Sequence, residues 1–281
     1  WRQAVSWLGE SPEAVPWLQA YVSAYPQDNE LRLRLEMLEP QLARQSALRQ
    51  AFQALEAGEL NQAEEKFQSI PGAECDLEAL VGLASVALAR KTFDQAVKLL
   101  CQTRELAPQR PEVWQPLLHT AELWQAIKRA EALRREGRLD EAQSLLEQAA
   151  TSVADERYQA VLALVEVLLE RGDRTRAQHS LHELLTAPPA DTAGLRRLVV
   201  LLLRANLEEQ AVVANESLRG IDASAAFSPK GLQAEKLRQL AMQLRKAGDV
   251  IAARDSLVAA TSLDERASQV WLDLAHLVEV D

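Results

Sequence analysis

The chain is poor in the residues on which chemistry and covalent bracing depend. Aromatics make up 5% of its 281 residues, and there are two cysteines, two methionines and four histidines. Cys75 and Cys101 supply neither a disulfide framework nor the four ligands of a structural zinc site, so they read as unpaired thiols. Positive charge is short as well. The 31 Lys and Arg against 41 Asp and Glu leave a net charge of -10, which argues against a protein that displaces counterions from a phosphate backbone. Nucleic acid is therefore not an expected partner. No stretch reaches the ~20 apolar residues of a membrane helix, and the run at 195–203, LRRLVVLLL, is short and carries two arginines, so no membrane-spanning helix is expected. Glycine-rich phosphate loops, nucleophile elbows and H-E-x-x-H pairs are missing too. No enzyme activity, catalytic residue, cofactor or metal is expected.

What the chain does have is Leu, Ala, Gln, Glu and Arg in a helical pattern, with 48% apolar and 26% charged residues. Gly58, Gly137, Gly172 and Gly248 each end an apolar helical stretch, and each stands five residues before an alanine, at Ala63, Ala142, Ala177 and Ala253. Aligned on these glycines the chain reads as two helices around a turn, repeated with a period near the ~34 residues of tetratricopeptide repeats. With the turn glycine as position 15, positions 4, 7, 8 and 11 share one face of the first helix, and 20, 24 and 27 share one face of the second. Small residues at 8 and 20 let the two backbones approach. The fold class expected is all-α: a tetratricopeptide α-solenoid, with antiparallel helix pairs stacked into a superhelix.

The frame gives repeats at 44–76, 77–110, 123–156, 158–191, 192–225 and 234–267 within one solenoid, the fifth degenerate, with Asn206 in its turn. Core positions include Leu80, Leu83 and Ala84 in the second repeat and Leu240 and Ala241 in the last. Partial units fall at 1–43 and 268–281. The beat breaks at 111–122, where helical spacing continues and makes one long first helix of about 112 to 136, and at 222–231, where DASAAFSPKG marks a loop. Pro116 is tolerable in that long helix if it lies in the first turn. Both breaks are expected to bend or hinge the superhelix. The chain starts at Trp1 without Met and stops inside a helix at Asp281, as an internal piece of a longer protein would.

First helices of such solenoids line a concave groove, and positions 5, 9 and 12 should face it. The candidate binding residues are Phe52, Leu55, Ser85, Leu88, Glu131, Arg134, Glu166, Arg196, Arg238, Met242 and Arg245, with Trp124 at position 2 as the tryptophan best placed to meet a ligand. Each apolar member is equally open to the reading that it packs on a neighbouring helix. Trp114 and Trp271 sit at position 4, where repeat packing explains them; Trp1, Trp7 and Trp17 fall in the first partial unit. His179 and His182 are three apart on one helix but lack a third ligand at matching spacing, so they read as surface histidines.

The run VWQPLLHTAELWQAIKRAEALRREGRLDEAQSLLEQA, preceded by EALVGLASVALARKTFDQAVKLLCQTRELAP, resembles the tetratricopeptide region of the bacterial cellulose synthase operon protein C family. The likeness extends upstream through SPEAVPWLQAYVSAYPQDNELR and downstream through the 222–231 break to LRQLAMQLRKAGDVIAARDSL. It implies a periplasmic scaffold between an inner-membrane synthase and an outer-membrane barrel that exports glucan. It also implies partners among the proteins of the cellulose synthase complex or other cell-envelope proteins, and it brings no catalytic residues. Two other readings stand beside it: direct binding and guiding of the glucan chain, and an adaptor of another envelope assembly pathway.

Overall fold

A computed structural model of the chain describes residues 14–264 and 268–278. Trp1 and Trp7 lie outside them. The described residues form fourteen α-helices and one 3-10 turn, with no strand. The chain divides into two compact units, Trp1–Gln125 and Ala126–Asp281.

In the first unit α1 (Val15–Ala24) pairs with α2 (Asn29–Glu56), α2 with α3 (Leu60–Gln68), and α4 (Leu77–Ala89) with α5 (Phe93–Leu106). The frame places a repeat boundary between residues 43 and 44, yet α2 runs through it, and through Pro40, as one helix. Leu31, Leu35 and Leu38 on its first half pack against Val15, Leu18 and Tyr21, while Leu48, Ala51 and Ala54 on its second half pack against Ala63, Phe67 and Ile70. Two cores thus hold one helix on either side of its proline. The 111–122 segment is likewise helical, the first half of α6 (Pro111–Arg135). Pro116 is its sixth residue rather than a first-turn residue, so the Glu112 carbonyl meets no amide hydrogen there. Pro111 occupies the favoured first position instead. Trp114 and Leu118 of this helix pack on Ala84, Ala87 and Leu100, and the Trp114 indole donates to the Ala107 carbonyl at 3.0 Å.

The second unit continues with α7 (Leu139–Ala150), α8 (Tyr158–Arg171), α9 (Arg174–Thr186), α10 (Thr192–Arg204), α11 (Glu208–Ile221), α12 (Pro229–Lys246), α13 (Val250–Leu263) and α14 (Ser268–Val278). Here α8, α10, α12 and α14 form a layer of first helices, each touching the next, with α9, α11 and α13 packed behind.

The repeat positions explain why these pairs form. Position 20 is a fully buried alanine in every repeat, for example Ala63, Ala96, Ala177 and Ala211, and position 24 behind it is buried throughout, as Phe67, Leu100, Leu146, Leu181, Asn215 and Leu257. Turn glycines 58, 137, 172 and 248 have φ of 77°, 78°, 83° and 86°, a region that costs an L-residue about 1–2 kcal/mol. Lys91 and Asn206 adopt it without being glycine, at 60° and 63°. Gly82 serves another need: a Cβ there would run into the Phe67 ring, so glycine lets α4 lie close to α3.

Two first-helix expectations need correction. Leu240 is 44% exposed, while Glu235 and Gln239 of the same helix are buried. The cause is Arg238, which pairs with Glu235 at 3.0 Å and with Asp273 of α14 at 2.5 Å; turning that polar stripe toward α14 puts Leu240, about 200° round the helix from Arg238, on the other side. Trp271 is 48% exposed rather than buried. Val270, Leu274 and Leu277 join α14 to the core, and Trp271 lies about 100° round the helix from Val270.

Candidate functional site

Sorting the candidate groove residues by what they touch separates them into three groups. In the first unit they lean on the core. The half-buried Phe52 ring meets Phe67 edge-on, with centroids 4.9 Å apart and planes at 80°. Leu55 packs on the same cluster, and Leu88 packs on the cluster around Leu100 and Trp114. The Ser85 hydroxyl donates back to the Val81 carbonyl at 2.9 Å. Trp124 stacks on Phe93, centroids 5.9 Å apart and planes at 16°, so Phe93 already occupies one face of the indole.

In the second unit Arg134 and Glu166 are brought together in an ionic ladder across three first helices. The Arg134 guanidinium on α6 reaches Glu166 at 2.9 Å and Glu170 at 3.1 Å on α8. From the far side Arg197 of α10 donates to Glu166 at 2.9 Å and to Gln159 at 3.3 Å, and Arg204 stands 3.8 Å from Glu170. Two carboxylates thus sit among three guanidiniums. Sequence reasoning missed Glu170, Arg197 and Arg204, which lie at positions 13, 6 and 13 of their repeats and become neighbours only when first helices stack side by side. Arg238 is also committed, with its charge buried between Glu235 and Asp273.

The remaining candidates are more open. Glu131 is half-buried and Arg245 exposed. Met242 and Arg245 line a recess of about 20 Å³ with Asp273 and Leu277, room for a single water. Arg196 is exposed on α10 and turns toward the 222–228 loop, donating to the Ala225 carbonyl at 2.6 Å and lying 4.4 Å over the Phe227 ring. His179 and His182 are exposed, and among the described residues no group of His, Cys, Asp and Glu is placed to hold a metal ion. No helix of the described residues is long and apolar enough to cross a membrane.

Successive repeats are also tied where a first helix begins. Asp76 caps α4 by accepting from the Glu78 and Ala79 amides at 3.0 and 3.1 Å, and Arg44, at position 1 of the preceding repeat and midway along α2, pairs with Asp76 and Glu78. The Arg44 hydrogen bond holds the Asp76 carboxyl below its usual range, and Asp76 in turn raises Arg44. In the second unit Asp191 caps α10 on the Gly194 amide at 2.7 Å, and the position-1 side chain that reaches it is Tyr158, whose hydroxyl donates to the carboxylate. Burial, then this bond, pushes the Tyr158 phenol up to about 12. At Asp191 burial pulls the other way, but the hydrogen bonds from Tyr158 and Gly194 outweigh it and leave the carboxyl lowered.

Known proteins are similar to this chain to different extents. The chain is 33% identical over 291 aligned positions to cellulose synthase operon protein C of Xanthomonas axonopodis pv. citri (strain 306), a match covering 99% of this chain and 19% of that relative. It is 35% identical over 127 residues to a protein of the same name from Komagataeibacter xylinus, covering 42% of this chain and 9% of the relative. The chain thus spans about a fifth of the length of the first of these relatives and less of the second. No protein-family model matches it. Among solved structures it is similar to PilF of Pseudomonas aeruginosa, with 15% identity and a TM-score of 0.40, covering 85% of this chain and 99% of that one. A tetratricopeptide repeat protein of Parabacteroides merdae ATCC 43184 aligns with 14% identity and a TM-score of 0.37 over 94% and 91%.

Proposed function

Because this chain is a tetratricopeptide region homologous along nearly its whole length to cellulose synthase operon protein C, we propose that it serves cellulose synthesis as a non-catalytic periplasmic scaffold. In this reading it works by protein–protein contacts, linking the inner-membrane synthase to an outer-membrane export barrel. The observation that carries the reading is the match over 99% of the chain. The structure supports it by offering layered first helices as a contact surface, with Glu131, Met242 and Arg245 the groove candidates least committed to internal pairs. For direct binding of glucan, Trp124 would offer the indole face opposite Phe93.

The test uses the full-length protein in a cellulose-secreting host. Deleting the region is expected to abolish secreted cellulose, and the charge reversals Glu131→Arg and Arg245→Glu together are expected to lower it several-fold with protein level and melting temperature unchanged. Undiminished cellulose after the deletion would remove the scaffold reading; undiminished cellulose after the reversals alone would remove the groove residues from it. Titration with cello-oligosaccharides, followed by tryptophan fluorescence, separates the glucan alternative, which requires a saturable shift that Trp124→Ala abolishes.

A further inference from the structure

The 222–231 break, where a bend or hinge of the superhelix is expected, is fastened by its contacts. Position 24 of a second helix holds Phe67, Leu100, Leu146, Leu181 or Leu257 in the other repeats; in the fifth it holds Asn215, 1% exposed. An amide in an apolar slot costs stability unless both its ends are hydrogen-bonded. Asn215 meets that condition on a single residue of the loop: its Nδ2 donates to the Phe227 carbonyl at 2.9 Å and its Oδ1 accepts from the Phe227 amide at 2.8 Å. Arg219, one turn along α11, donates to the same carbonyl at 3.2 Å. From the first helix, Arg196 donates to Ala225 and covers the Phe227 ring. Upstream, the Asp222 carboxylate accepts from the Ser224 hydroxyl and amide, at 2.6 and 2.8 Å, and closes the first turn of the loop. Ser228 then caps α12 on the Gly231 amide at 2.9 Å.

We propose that residues 222–228 form a strap, locked by Asn215, which lays Phe227 against Arg196 as an internal occupant of the first-helix face of the fifth repeat. Asn215 is a positioning residue: it reads the backbone of Phe227 at both its donor and its acceptor, the pairing a neighbouring strand would make, and a leucine fills the slot without holding the strap. The consequence for binding rests on the scaffold reading above: a partner that needs Arg196 must first displace Phe227, so a groove that is continuous in sequence is interrupted there. The strap itself does not depend on that reading.

Hydrogen exchange and limited chymotrypsin digestion of the purified chain test it. Asn215→Leu is expected to leave the melting temperature unchanged or raised, because the apolar slot is filled, while amides of 223–228 exchange about tenfold faster or more and cleavage after Phe227 appears. Arg196→Ala, a change on an exposed face, is expected to speed exchange of the same segment by a smaller factor and to leave α11 and α12 protected. Should Asn215→Leu fail to fold, Arg196→Ala decides: faster exchange confined to 223–228 supports the strap, and unchanged exchange overturns it. If Asn215→Leu folds and 223–228 stays as protected as in the parent, the lock is wrong whatever Arg196→Ala does.

Discussion

At positions 9 and 12 of its first helices, the unit ending at Gln125 carries Phe52, Leu55, Ser85 and Leu88, and the unit beginning at Ala126 carries Arg134 and Glu166 at the matching places. Both sets face the same way in the repeat. The first extends the core outward, with Phe52 on Phe67 and Leu88 on the Leu100 cluster; the second crosses from helix to helix as ion pairs. A repeat position therefore fixes where a side chain points, and the chemistry placed there decides whether it reinforces its own hairpin or joins neighbouring ones. The N-terminal joints differ in the same sense: an ion pair, Arg44 with Asp76, in one unit and a neutral donor, Tyr158 to Asp191, in the other.

The largest effect expected comes from removing one member of each set. Phe52→Ala should destabilise the first unit by about 2 kcal/mol, less than a fully buried phenylalanine because the ring is half-buried, and the loss should be the same at low and high salt. Glu166→Ala should cost the second unit about 1 kcal/mol, since partly exposed pairs are screened, and much of that cost should vanish near 1 M NaCl, where the screening length is about 3 Å. Hydrogen exchange of α3 and α8 amides in each variant reads the two units separately. Equal salt dependence in both would erase the contrast.

Alkali sharpens the comparison of joints. A phenol raised from 10.0 to about 12 in the fold contributes stability that is complete below pH 10 and is lost as pH rises toward 12. The second unit should accordingly loosen at α8 and α10 in that window, and Tyr158→Phe should abolish that part of the pH dependence. In acid the sign reverses for both units. Asp76 and Asp191 are lowered from 3.8, so their contributions hold above that value and fade as pH drops below it. Protection factors of α4 and α10 amides, each taken against the intrinsic exchange rate at the same pH, should fall together from pH 6 down to 2; a change in only one would show that its cap, and not the shared geometry, sets the response.

The smallest effect separates the two turns that lack glycine. Lys91→Gly should stabilise the first unit by about 0.5–1 kcal/mol by removing a left-handed side chain. Asn206→Gly should gain less in the second, because asparagine tolerates that conformation. Urea unfolding of both variants checks the order.

Much of this architecture was legible because it depends on spacing alone. The turn glycines and the alanines at position 20 are local signals that any one repeat displays. The ladder was half legible: Arg134 and Glu166 were picked out by position, but Arg197, Arg204 and Glu170 gain meaning from the neighbouring helix, about 30 residues away in sequence and adjacent only after stacking. The repeat frame puts a boundary between residues 43 and 44, yet cores on both sides of Pro40 hold α2 continuous through it. Asn215 was hidden for a different reason. A polar residue at an apolar position looks like decay of the repeat, and its use appears only once Phe227 is folded back upon it.

The joint between position 1 and the next cap gives the chain a direction. Asp76 completes the first turn of α4 while held by Arg44, and Asp191 does so for α10 while held by Tyr158; in both cases the earlier repeat supplies the side chain and the later one receives it. A repeat whose predecessor is missing keeps its own aspartate but loses the group that steadies it. A cut between two such repeats therefore leaves unlike ends, a cap without its support on one side and a position-1 side chain without its acceptor on the other, although every hairpin is built to the same plan.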